Sequence, residues 1–134
     1  MNADLNPLRI TDDPFLNKTH RLPNCEEMFE KDISAYFNVI AERRGSVGLD
    51  TFITVMAYFT IDLLIDYRNN AQNTLPISIV EDMKAQIINV LQRNYDAFNK
   101  PEIITEFLSI LDKKMYEPNI VSETHSYLSR VRQY

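Results

Sequence analysis

Glycine is nearly missing from this chain: Gly45 and Gly48 are the only two among 134 residues, where an average protein carries about 7%. A chain so poor in glycine is poorly suited to tight hairpins, and helices with short connections fit it better. The same scarcity removes the loops that cradle phosphates, and no G-x-x-x-x-G-K-[ST], G-x-G-x-x-G or G-x-S-x-G stretch occurs. With one cysteine, Cys25, no intrachain disulfide can form. Tryptophan is absent, and the two histidines, His20 and His125, build no zinc-spaced cluster and no di-iron E-x-x-H pair. Lysine and arginine never run together beyond the pairs Arg43-Arg44 and Lys113-Lys114, and the net charge is −5. A nucleic-acid binder draws most of its affinity from phosphate neutralisation, so direct nucleic-acid binding is not expected. The opening MNADLNPLRITDD has neither the basic start nor the apolar stretch of a secretory signal. Together with the lone cysteine, this favours a reducing, cytoplasmic setting.

What is present points to a globular domain. The chain is 45% hydrophobic and 25% charged, and about two-thirds of the surface of a chain this long is buried on folding. Residues 1–23 read as an extended arm. Pro7, Pro14 and Pro23 interrupt it, and proline forces its predecessor toward extended backbone. Its apolar residues Leu8, Ile10, Phe15 and Leu16 are candidate anchors, either across the domain or in a partner's groove.

Residues 24–134 read as a helical bundle domain. Asn24 and Glu27 form a capping-box pattern, and Met28/Phe29, Ile33, Tyr36/Phe37 and Ile40 recur at helical spacing, which predicts a first helix over 24–44. The stretch from Phe52 to Ile65 is apolar except for Thr54, Thr60 and Asp62. It is too short and too soon charged to span a membrane, which takes about 20 mainly apolar residues. It is too long for an ordinary strand of about 5–6. A helix apolar nearly all round belongs in the middle of a bundle. The expectation is a buried central helix over about 50–68, capped by Asp50. After a polar loop over 69–76, Ser78 and Glu81 suggest a second capping box and a third helix to about Asn99. Pro101 suits the first turn of a fourth helix, which Pro118 stops; Asn119 or Ser122 would cap a fifth. The fold class expected is therefore all-α: a compact single-domain bundle of about five helices around one buried helix, with an N-terminal arm.

Two groups of residues could carry function. Met115, Tyr116, Tyr127, Arg130 and Tyr134 place methionine, tyrosine and arginine, residues enriched at interfaces, toward the C-terminal end. With Leu8, Ile10, Phe15 and Leu16 they form a candidate partner-binding set. This reading makes the chain a small acidic protein-protein interaction module: an adaptor, inhibitor, chaperone or accessory subunit without catalytic activity. It calls for no cofactor or metal and for another protein as partner, and it is compatible with a homo-oligomer.

The other group is acidic. Glu26-Glu27-Met28-Phe29-Glu30 is an E-E-x-x-E pattern, and Asp62 and Asp66 stand four apart on one helix face. The five-residue pattern resembles the first half of the motif in all-α nucleotide pyrophosphohydrolases of the MazG type. That resemblance implies carboxylates on two helices holding magnesium for attack on a nucleoside triphosphate. Those enzymes add E-x-x-D on the following helix, whereas here the second helix lacks glutamate and offers Asp62-x-x-x-Asp66 instead. The alternative function is therefore magnesium-dependent nucleotide hydrolysis through Glu26, Glu27, Glu30, Asp62 and Asp66, which requires both helix segments to converge on one point. Cys25, near a helix N-terminus, would carry a modestly lowered pKa and be at most a reactive thiol.

Overall fold

The structure, a computed structural model, describes residues 8–11, 24–42, 47–70 and 75–132. Five helices account for most of them: α1 (Cys25–Glu42), α2 (Leu49–Asn70), α3 (Ile77–Asn94), α4 (Pro101–Met115) and α5 (Ile120–Arg132). Two strands of two residues each, β1 (Ile10–Thr11) and β2 (Leu75–Pro76), pair in parallel with Ile10 opposite Leu75. The fold is thus a helical bundle, with one short strand pair that the helical reading did not contain.

The apolar stretch is α2, and it packs against each of the other four helices. Phe52, Ile53, Val55, Met56, Phe59, Ile61, Leu63, Leu64 and Ile65 are all buried, on every side of the helix. Covering each of these side chains contributes about 1.5–3 kcal/mol relative to leaving it in water. Thr60 is buried without cost in lost hydrogen bonds, because its hydroxyl donates to the Met56 carbonyl at 2.8 Å. The other helices are one-sided. α1 buries Phe29, Ile33 and Tyr36; α4 buries Phe107, Leu111 and Met115; α5 buries Ile120, Leu128 and Val131. Their outer faces are polar, as helices at the outside of a bundle require.

Helix ends are where the sequence reading needs correction. α2 begins at Leu49, and the Gly48 carbonyl accepts the first bond, from the Phe52 amide at 3.0 Å. Asp50 therefore lies in the first turn and is not the cap. Ser78 lies inside α3, whose cap position is Pro76, extended at φ −64° and making no side-chain cap bond. Pro76 can hold that place because strand pairing fixes it beside Thr11. α3 stops at Asn94, not near Asn99. The Asn94 side-chain amide donates back to the Val90 carbonyl at 2.8 Å, and Tyr95 turns extended at φ −138°. A 3-10 turn over Asp96–Asn99 follows and carries Phe98 into the core. Lys100 is again extended, and Pro101 opens α4, where its missing N–H is not needed.

Asn24 occupies the left-handed region at φ 60°, which asparagine tolerates better than most residues, and its carbonyl accepts the Met28 amide at 2.8 Å. Arg43 and Arg44, with which the predicted first helix over 24–44 ends, lie outside the described residues. Of the arm, Leu8 is 2% exposed and belongs to the core, and Ile10 packs partly buried against it. Arg9 between them sits at φ 56°, a left-handed conformation that costs an L-residue about 1–2 kcal/mol. It turns Leu8 inward while Ile10 follows β2. Phe15 and Leu16 lie outside the described residues.

Candidate functional site

The two carboxylate groups do not converge. On α1, Glu26 and Glu30 face α3, where Arg93 reaches them at 2.9 and 3.9 Å and Asn94 donates to Glu30 at 3.4 Å. Glu27 is exposed. On α2, Asp62 faces α5 and pairs with Arg132 at 3.5 Å. Asp66 lies one turn further along, within the influence of Asp62, His125 and Arg132. Their α1 neighbour is Asp32, which reaches Arg132 at 3.7 Å. Asp32 stands two residues beyond Glu30, roughly 200° around the helix, so α1 shows one acidic group to α3 and a different one to α2 and α5. Among the described residues, no three carboxylate, histidine or cysteine side chains are grouped so as to hold a metal ion. The convergence that a pyrophosphohydrolase site requires is not formed. The reason is local: Arg93 holds the glutamates to α3 while Arg132 holds the aspartates to α5.

Cys25 also departs from expectation. It is 3% exposed, and burial, with Glu26 and Asp82 adding repulsion, pushes its thiol up to about 11. Desolvation outweighs the helix dipole here, and the sulfur stays protonated and covered.

The proposed C-terminal patch is dispersed. Met115 is buried in the core, whereas Tyr116 projects into solvent in the turn after α4. Tyr127 is half-buried and stacks on Tyr58 of α2 with ring centroids 4.0 Å apart. Arg130 is exposed and lies 5.9 Å from the Tyr127 ring. The Tyr58 hydroxyl donates to Glu123, and the same carboxylate receives Lys114 at 3.3 Å. Burial first, then this bond, raises the Tyr58 pKa; the Tyr58 bond foremost lowers that of Glu123. These residues clamp α5 and the end of α4 onto α2 and leave no continuous apolar face. Tyr134 lies outside the described residues.

A continuous apolar face does occur elsewhere. Phe37, Val47, Leu49, Phe52, Tyr95, Ala97 and Phe98 line a cleft of about 280 Å³ where the end of α1, the start of α2 and the turn after α3 meet. Phe37 is 38% exposed and Leu49 44%. Behind them the rings form a connected set: Phe37 stacks on Phe52 at 5.6 Å, Tyr95 meets Phe52 at 5.1 Å and Phe37 at 5.8 Å, and Phe98 carries the contact inward to Phe107 at 6.3 Å. The floor is therefore continuous with the core, while the rim is wet. Sequence reasoning missed this site. Its one available signal was the adjacent pair Tyr36-Phe37: neighbours on a helix diverge by about 100°, so both cannot enter one core. Tyr36 is buried and Phe37 is not.

No helix of the described residues is long and apolar enough to cross a membrane. Compared with known proteins, the chain matches no family model, no curated protein and no solved structure, so the pyrophosphohydrolase resemblance stays confined to the five residues that carry it.

Proposed function

We propose that this protein is a helical protein-protein interaction module of the cytoplasm, an adaptor or accessory subunit, and that it receives an apolar side chain of its partner in the cleft between Phe37 and Leu49. The observation that carries this reading is the pairing of two exposed large apolar side chains with a preformed aromatic floor. Interface hot spots have this anatomy: an apolar anchor enters a packed pocket whose surroundings exclude water. A scattered exposed leucine needs no explanation, but neighbouring apolar groups around a concavity mark an interaction site. The single covered thiol of Cys25 suits a reducing compartment.

The test is affinity capture from the native cell lysate with the wild-type protein and with Phe37→Asp/Leu49→Asp, followed by light scattering of the eluted species. The expected result is a stoichiometric partner held by the wild type and lost by the double variant, with helicity unchanged. Equal capture by both proteins would remove the cleft from the interface.

A further inference from the structure

At the opposite side of α2 from the aromatic cleft's rim, three helices share one cation. Asp32 of α1 and Asp62 of α2 approach the Arg132 guanidinium of α5 at 3.7 and 3.5 Å, and Asp66 lies one helical turn from Asp62. Asp32 and Asp62 are both largely covered, and Arg132 is half exposed. Three carboxylates therefore draw on one arginine at the place where the last helix docks. A water-accessible cleft of about 410 Å³, lined by Asp62, His125, Leu128, Ser129 and Arg132, admits protons to the junction.

We propose that this junction is a proton-sensitive clasp, in which a proton on Asp32 lets α5 sit firmly on α1 and α2 and its loss loosens that helix. The charges work out as follows. With all three aspartates ionised, one arginine leaves surplus negative charge in a half-buried place. Protonating Asp32 removes its desolvation cost and its repulsion with Asp62 and Asp66, and it frees Arg132 to serve Asp62. Burial is the largest influence on Asp32; Arg132 pulls its pKa down and Asp62 and Asp66 push it up, with the result near 6, against an ordinary 3.8. Besides Arg132, one described group offsets the negative charge: His125 of α5, which pulls the Asp66 pKa down. One turn away on α1 stand Met28, Phe29, Ala35 and Tyr36, which carry no charge at neutral pH. From α3, Arg93 is held by Glu26 and Glu30. From α5, Arg130 leans over Tyr127, and His125 acts on Asp66.

The sign follows from linkage. A carboxylate whose pKa is raised in the docked state favours docking more as pH falls through that value, and the gain stops below its undocked value. A midpoint near 6 docked and 3.8 undocked corresponds to roughly a tenfold rise in docking equilibrium between pH 7.5 and pH 5.

Hydrogen exchange of the α5 amides, corrected for intrinsic rates, tests this in the full chain at pH 5 and pH 7.5. Protection in α5 is expected to rise roughly tenfold at the lower pH through the Asp32 linkage, to rise less in α4, which supplies none of the charges that shift Asp32, and to lose that pH dependence in Asp32→Asn. An equal rise in α4 and α5, or the same slope in wild type and variant, would overturn the clasp. Carbon-detected titration of the Asp32 carboxyl in the wild type decides independently if the variant does not fold. A midpoint near 6 supports the proposal, and one near 4 overturns it.

Discussion

α1 and α2 meet two very different surroundings, and the contrast locates what this molecule has to spare. At one end Phe37, Leu49, Phe52, Tyr95 and Phe98 gather apolar surface in excess of what the core needs, and part of it stays in water. Along the other face Asp32, Asp62 and Asp66 gather negative charge in excess of the one arginine that meets them. Each region is locally unfavourable in isolation, for opposite reasons. Exposed aromatic surface is relieved by a partner that covers it. Surplus buried charge is relieved by a proton. Elsewhere on the described surface, cations meet carboxylates: Lys84 is met by Glu81 and Asp112 at 2.8 and 2.7 Å, and Arg93 by Glu26 at 2.9 Å.

The contrast breaks most completely at Phe98. It is fully buried beneath the cleft between Phe52 and Phe107. Phe98→Ala is expected to cost about 3–5 kcal/mol in urea unfolding, the range for truncating a core aromatic. A loss below about 1 kcal/mol would mean that the aromatic floor is not packed as described. Tyr58→Phe comes next. It removes the hydroxyl that Glu123 accepts and should cost about 1.5–3 kcal/mol, as for bonds to charged groups, with the loss confined to pH values where Glu123 is ionised. Because the Glu123 pKa is lowered by that bond, the stability it supplies is present above the unfolded value and is lost as pH falls through the folded one.

At the cleft rim, Phe37→Ser should cost only about 1 kcal/mol, since the ring stacks on Phe52 but is partly in water already. Partner binding should suffer far more than folding, which is what separates this region from the core beneath it. The smallest effect should come from Asp66→Asn. The Asp66 pKa is raised, by burial first and then Asp62, so ionised Asp66 weakens the fold. The variant should unfold at a slightly higher temperature than wild type at pH 7.5, and the difference should vanish below about pH 3, where wild-type Asp66 is protonated in both states. A difference that grew on acidification would reverse the sign assigned to this region.

Much of the architecture is legible in the sequence because it is written locally. The largely apolar run from Phe52 to Ile65 fits a helix covered on all sides, and Pro101 and Pro118 bracket α4. The break after Asn94 is not local in this sense. The apolar spacing of α3 runs on through Tyr95 and Phe98 as if the helix continued. What ends it is that these rings fill the space beside Phe52 and Phe107. Leu8 is visible as an apolar residue in the arm, but its burial depends on the left-handed turn at Arg9 and on the pairing of Ile10 with Leu75, neither of which leaves a pattern. Neither candidate region was read correctly for the same reason. Asp32, Asp62 and Arg132 are 30 and 70 residues apart in sequence, and Phe37, Leu49 and Tyr95 meet only because three helix ends converge.

The most direct check on the interaction reading is to ask whether the cleft is covered when the protein is engaged. Leu49→Cys places a thiol on its exposed rim, while native Cys25 is silent because it is buried and its pKa is raised. Labelling by a small thiol reagent is compared in the isolated protein and in the captured complex, with Ser126→Cys on the exposed side of α5 as reference. Strong protection of Cys at position 49 in the complex, with position 126 labelled equally fast in both, is the predicted result. Equal labelling of position 49 in both states would place the partner elsewhere and contradict the cleft as the interface.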